Sequence, residues 1–148
     1  MDLPKYELSA ESSLSIFEFT SIGPKGEIQK IIKFSETHLK DFYNLGFGDK
    51  ETETGKLNDK VVSNNGDSDK VLATVVSAVY AFTDLNPNAW VYATGSTKSR
   101  TRLYKMGISK YLDKVGNDFE VFGLKDDTWI LFNKEIEYDA FVVKRKIV

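Results

Sequence analysis

The hydrophobic patterning of this chain predicts an α+β domain: an antiparallel or mixed sheet of about six strands with two helices packed against it. Three observations predict it. The first third alternates apolar and polar residues around a Gly-Pro-Lys-Gly turn. The middle holds two stretches with apolar residues at helical spacing, separated by a short strand. The last third returns to short strands. The order reads ββ(β)αβαβββ. With 148 residues, no internal repeat and no dividing linker, a single domain over 1–148 is expected.

Residues 14–22 and 27–34 are rich in β-branched and aromatic side chains and flank Gly23-Pro24-Lys25-Gly26. Proline presets one turn dihedral and glycine supplies a positive φ, so a hairpin is expected. In its second strand Ile28, Ile32 and Phe34 face one way, while Gln29, Ile31 and Lys33 face the other. Residues 41–47 and 60–63 read as short strands on either side of a polar loop over 50–58. Asp67, Ser68 and Asp69 offer capping oxygens and negative charge at a helix start. Val71, Leu72, Val75, Val76, Val79 and Phe82 then recur at helical spacing until Pro87 stops the helix. Four valines weaken helix propensity, so tertiary burial must hold this element. Residues 89–94 read as a strand ending at Gly95. Ser96 or Thr97 caps a second helix that runs to about Lys114, with Leu103, Tyr104, Ile108, Tyr111 and Leu112 inward and Gly116-Asn117 as its stop. Strands over 118–124, 128–133 and 138–144 complete the pattern.

Composition excludes several chemistries. Cysteine is absent, which removes disulfides, thiolate catalysis, iron–sulfur clusters and Cys-containing zinc sites. The lone histidine, His38, cannot supply a site that needs two imidazoles. No spaced carboxylates surround Asp49 of Phe47-Gly48-Asp49, so no metal and no cofactor are expected. No apolar run approaches the roughly 18 residues of a membrane span, and the first residues lack a basic flank and apolar core. The expectation is a cytoplasmic protein without membrane contact. The net charge of −2 hides an asymmetry. Residues 96–114 carry six cations against Asp113 alone, and Lys144, Arg145 and Lys146 add three more. An acidic body with two basic segments suits a localised anionic partner.

The segment over 91–107, VYATGSTKSRTRLYKMG, carries the strongest candidate site. A glycine turn from strand into helix leaves backbone amides available for phosphate or carboxylate. Gly95, Ser96 and Thr97 would orient such a group, and Lys98, Arg100 and Arg102 would contact it. Basic residues at a helix start oppose the helix dipole, a local cost with no folding benefit visible in the sequence. Arg100 and Arg102 lie about 200° apart around a helix, so both cannot aim at one small ligand. The competing structural reading has Ser and Thr as caps and the arginines paired with acidic residues. Asn64 and Asn65 of Ser63-Asn64-Asn65-Gly66-Asp67 either fold back on their own turn or face the same crevice as Gly95.

FEFTSIGPKGEIQK, YNLGFGD, NNGDSDKVLATVVSAV and ATGSTKSRTRLYKMGI together resemble a family of small, single-domain bacterial proteins catalogued only as a domain of unknown function. That resemblance implies one α+β domain and carries no activity. Over residues 88–108, Leu103-Tyr104 and Gly107-Ile108 are similar in rhythm to the GNAT acetyltransferase superfamily. Gly66-Asp67-Ser68-Asp69 departs from it, because two carboxylates would repel the diphosphate of coenzyme A. The expected function is an anion-binding module whose partner is nucleic acid or a phosphorylated ligand. The alternatives are an acyl-CoA-dependent N-acyltransferase-like enzyme and a noncatalytic subunit that pairs with an acidic protein. Oligomeric state is left open.

Overall fold

A computed structural model describes residues 5–10, 15–51, 53–58, 65–95 and 97–146. The strands are β1 (Ser9–Ala10), β2 (Ile16–Gly23), β3 (Gly26–Glu36), β4 (Phe42–Lys50), β5 (Leu57–Asn58), β6 (Trp90–Ala93), β7 (Phe119–Lys125), β8 (Thr128–Leu131) and β9 (Ala140–Arg145). The helices are α1 (Ser68–Leu85), α2 (Lys98–Lys110) and α3 (Leu112–Asp118). The protein is therefore α+β with a mixed sheet. Its order is β1-β2-β3-β4-β6-β9-β7-β8, with β5 beside the end of β4. Neighbours run antiparallel except β4 and β6, which pair in parallel from Phe42↔Trp90 to Leu45↔Ala93.

Nine strands and three helices among the described residues correct the expectation of about six and two. Two of the extra strands, β1 and β5, are two-residue pairings with no alternation to read. The expected strand over 60–63 lies outside the described residues. The expected single helix ends instead at Tyr111, whose N–H still reaches the Gly107 carbonyl at 3.1 Å, and a second helix restarts there. Gly116 therefore sits inside α3 rather than ending α2. The corner lets Tyr111, Val115 and Phe119 pack as one buried cluster with Leu72 and Ala73 of α1.

All three helices contribute to one face of the sheet. Register fixes that face: Phe17 and Phe19 of β2, Ile32 and Phe34 of β3, Leu45 and Phe47 of β4 and Val91 of β6 are buried with Val71, Val75, Ala78 and Phe82 of α1. Phe34 and Phe82 stack with ring centroids 4.2 Å apart. Burying each such side chain is worth about 1.5–3 kcal/mol, enough to offset the weak helix propensity of the valines. Asp67 occupies the position before α1 but makes no capping hydrogen bond, because its carboxylate is engaged elsewhere. Pro87 does limit the helix, which ends at Leu85.

The C-terminal basic segment is structural. Arg145 donates to the Tyr80 carbonyl at 3.1 Å and to Asp84 at 2.5 Å, placing a cation at the negative end of α1. Lys146 donates to the Gly116 carbonyl at 2.6 Å, and Lys144 lies 5.7 Å from the Trp90 ring centre.

Val75→Asp should largely unfold the protein, because Val75 is buried in the α1–sheet cluster. An unpaired buried charge costs several kcal/mol against a total stability of about 5–15 kcal/mol. Val79→Asp, at a half-buried position, should be milder. Thermal melts followed by circular dichroism check both.

Candidate functional site

Strands β2, β4 and β6 all point the same way, so their carboxyl ends share one end of the sheet. Three connections gather there: the β2–β3 turn, the approach to α1 and the Gly95 turn into α2. The α1 and α2 starts consequently line one cleft of about 320 Å3, together with Lys30, Phe47, Asn65 and Asp67. Ser68 and Val71 come from α1, and Ser99, Arg100, Leu103 and Met106 come from α2. Asn65 shares this cleft with Ser99 and Arg100, whereas Gly95, whose crevice was one of the two alternatives for Asn65, lines a different cleft.

Two cations are buried at the floor of this inner cleft: Lys30 is 5% exposed and Arg100 is 8% exposed. Both lie over the Phe47 ring, with Lys30 Nζ 5.9 Å and Arg100 Cζ 5.0 Å from its centre. Lys30 pairs with Asp49, directly opposite it across β3 and β4. Arg100 Nη1 donates to the Phe47 carbonyl at 3.2 Å. Buried cations require such partners, since removing one leaves an uncompensated charge. Arg100 was expected to be an exposed phosphate ligand; here it ties α2 to the sheet.

Asn65 belongs mainly to the fold. Its Oδ1 accepts the Lys25 N–H at 2.7 Å, and its Nδ2 donates to the Gly26 carbonyl at 2.9 Å and to Ser21 Oγ at 3.2 Å. A Cβ on Gly23 would lie 1.9 Å from the Asn65 carbonyl oxygen, so only glycine permits the approach. Asp67 accepts from Ser21 at 2.5 Å and from the Tyr6 hydroxyl at 2.7 Å. The Tyr6 hydroxyl in turn accepts the Ile22 N–H at 3.0 Å. Burial, reinforced by the bond to Asp67, raises the Tyr6 hydroxyl above its ordinary pKa. Burial and the bond to Asp118 do the same for Tyr80.

A second, outer cleft of about 500 Å3 lies on the other side of the α2 start and contains Gly95, Thr97, Lys98 and Arg102. Thr94, Thr101, Lys105, Glu137 and Asp139 share it. Thr97 caps α2 by accepting the Arg100 N–H at 3.2 Å. The Gly95 N–H donates to Thr101 Oγ1 at 3.0 Å, so this amide is already engaged. Glycine is required here because a Cβ would meet Thr101 N at 2.4 Å. Lys105 pairs with Glu137 at 2.8 Å, and this bond holds the Glu137 carboxyl below the usual carboxylate range. Lys98 and Arg102 are exposed, and among the described residues neither forms an ion pair. The two arginines therefore diverge into different clefts, as the angle between them requires.

Ser96 and Asn64 lie outside the described residues. Lys30 was not singled out from the sequence, although its position signals it: it occupies the inward register between Ile28 and Ile32. Asp49 was noted, but its partner was not legible without strand register. Among the described residues no group of three His, Asp or Glu side chains could hold a metal.

Removing Asp49 (Asp49→Ala) should cost about 3–5 kcal/mol by exposing the charge of buried Lys30, whereas Lys30→Met with Asp49→Leu should recover most of the loss. Arg100→Ala should lower the melting temperature clearly, while exposed Arg102→Ala stays within about 0.5 kcal/mol. Denaturant melts of each variant decide both. A raised folded-state tyrosine pKa gives stability that is whole below the unfolded value of about 10 and is lost as pH rises through the folded value. The urea midpoint of the wild type should therefore fall as the pH rises above about 10, and Tyr6→Phe should flatten part of that fall.

No curated protein and no solved structure matches the chain. The likeness to the GNAT superfamily finds no counterpart in these comparisons. One family, described as a family of unknown function (DUF6934), matches residues 2–146, nearly the whole length. The Gly-Pro-Lys-Gly hairpin, the Asn65–Asp67 tie and the Gly95 turn all fall within that span, and the chain belongs to the DUF6934 family.

Proposed function

We propose that this protein is an anion-binding module whose ligand is the phosphate backbone of nucleic acid, held on the outer cleft at the Gly95 turn. One observation carries the reading: Lys98, Arg102 and Lys105 form a basic stripe one turn apart along α2, and among the described residues only Lys105 of the three has an ion-pair partner. Like charges four apart destabilise a helix by about 0.2–0.5 kcal/mol, and cations in its first turn also oppose the dipole. A polyanion removes both costs. Exposure suits it too, because Lys98 and Arg102 reach solvent freely and Thr97 and Thr101 supply hydroxyls beside them. Arg100 has no direct part in this binding; it anchors the α2 start that carries the stripe.

A salt titration tests the reading with a single-stranded oligonucleotide and heparin. Wild type should bind at low salt, with log K falling linearly in log salt. Lys98→Ala with Arg102→Ala should keep the wild-type melting curve and lower the single-strand slope by about 1.4, at about 0.7 per lost phosphate contact. Absence of polyanion binding by wild type at low salt would refute it.

A further inference from the structure

We propose that the outer edge of β8 is a self-association surface, at which two copies pair their β8 strands antiparallel about a twofold axis through Ile130. Backbone alternation supplies the first argument. Phe132 N–H bonds the Val121 carbonyl at 3.0 Å, which makes 121/132 a hydrogen-bonded pair of the β7–β8 ladder. The bonded pairs alternate along an antiparallel ladder, so Gly123/Ile130 and Lys125/Thr128 follow. Trp129 and Leu131 therefore turn their N–H and C=O groups outward. Among the described residues no strand lies beyond β8 to receive them.

Side chains supply the second argument. Trp129 is 40% and Leu131 is 72% exposed, both on the sheet face away from the helices. Natural edges are blunted by charge, proline or shortness. The opposite edge follows that rule among the described residues, where β1 spans two. The run Thr128-Trp129-Ile130-Leu131 contains neither charge nor proline. The connection leaving β8 does not shield it either. It crosses β7 on the helix face, where Tyr138 lies over Gly123, so close that a Cβ there would meet the ring at 2.3 Å.

A second copy is the occupant this edge fits. Pairing Trp129 with Leu131 of the second copy uses all four outward backbone groups of each β8 and sets the two exposed apolar side chains against each other. It also carries the Asp126-Asp127 turn of each copy towards Lys134 of the other, so the flanking charges are complementary. The interface is isologous, as a twofold requires.

Sedimentation equilibrium of the full chain over a concentration series should show a monomer–dimer equilibrium. Leu131→Lys places an edge-blocking charge at a solvent-open site. It should leave the melting temperature unchanged and weaken the dimer about tenfold or more, the scale of one lost interface contact. Because the chain has no cysteine, Ile130→Cys should cross-link to a disulfide dimer on oxidation. Thr128→Cys should not, since its two copies stand roughly 13 Å apart along the strands, beyond the Cα separation of about 7 Å that a disulfide spans. A chain monomeric up to about 1 mM overturns the proposal, and that includes the case where a strand of a different protein uses this edge. So does a dimer that ignores Leu131→Lys.

Discussion

The parallel pairing of β4 with β6 is the constraint on which the rest of the structure depends. Parallel neighbours cannot be joined by a tight turn, so the chain must leave β4, cross one face of the sheet and re-enter beside it. Helix α1 is that crossing, and its valine and phenylalanine stripe is the apolar cover the sheet requires. The same pairing aligns the carboxyl ends of β4 and β6, which brings the approach to α1 and the Gly95 turn to one end. Crevices outside the carboxyl ends of parallel strands are where α/β sheets collect ligands. This mixed sheet inherits that geometry from one pairing.

At that end the cations divide by burial. Lys30 and Arg100 are buried against Phe47 and draw their partners from β4: the Asp49 carboxylate and the Phe47 carbonyl. The Arg100 contact ties α2 to the sheet, while the Lys30–Asp49 pair joins β3 to β4, and in a region of low dielectric such pairing of buried charge matters. Lys98 and Arg102 stand one turn apart on the opposite side of the same helix start, open to solvent. The start of α2 is therefore both an anchor and a display: one side chain fixes it, and its neighbours remain accessible. The proposed binding of a polyanion rests on this division.

The sheet itself has two unlike faces. Under the helices it is packed with phenylalanines, while the other face carries two sets of ring contacts, Phe42–Tyr92–Trp129 and Trp90–Phe122. Among the described residues no helix crosses that second face. Those rings cover one another rather than a separate layer, which leaves Trp129 and Leu131 exposed where the row reaches the edge.

Local chemistry by itself determined much of this protein. The Gly23–Gly26 hairpin, the α1 stripe ending before Pro87, the Thr97 cap and the strand–turn–helix at Gly95 were legible because each depends on residues within a few positions of one another. Family membership was legible for the same reason, from contiguous blocks. The divergence of Arg100 and Arg102 was also foreseeable, since helical geometry alone sets the angle between them. What remained hidden involves partners far apart in sequence. Asp67 resembles a helix cap, yet Tyr6 and Ser21 claim its carboxylate. Lys30 reads as one more lysine in a strand until register sets it opposite Asp49. Gly116 resembles a helix stop, but the corner at Tyr111 is set by packing against Leu72. A side chain's local pattern states what it can bond, whereas the partner it bonds is chosen by the strand order and register that only the assembled sheet provides.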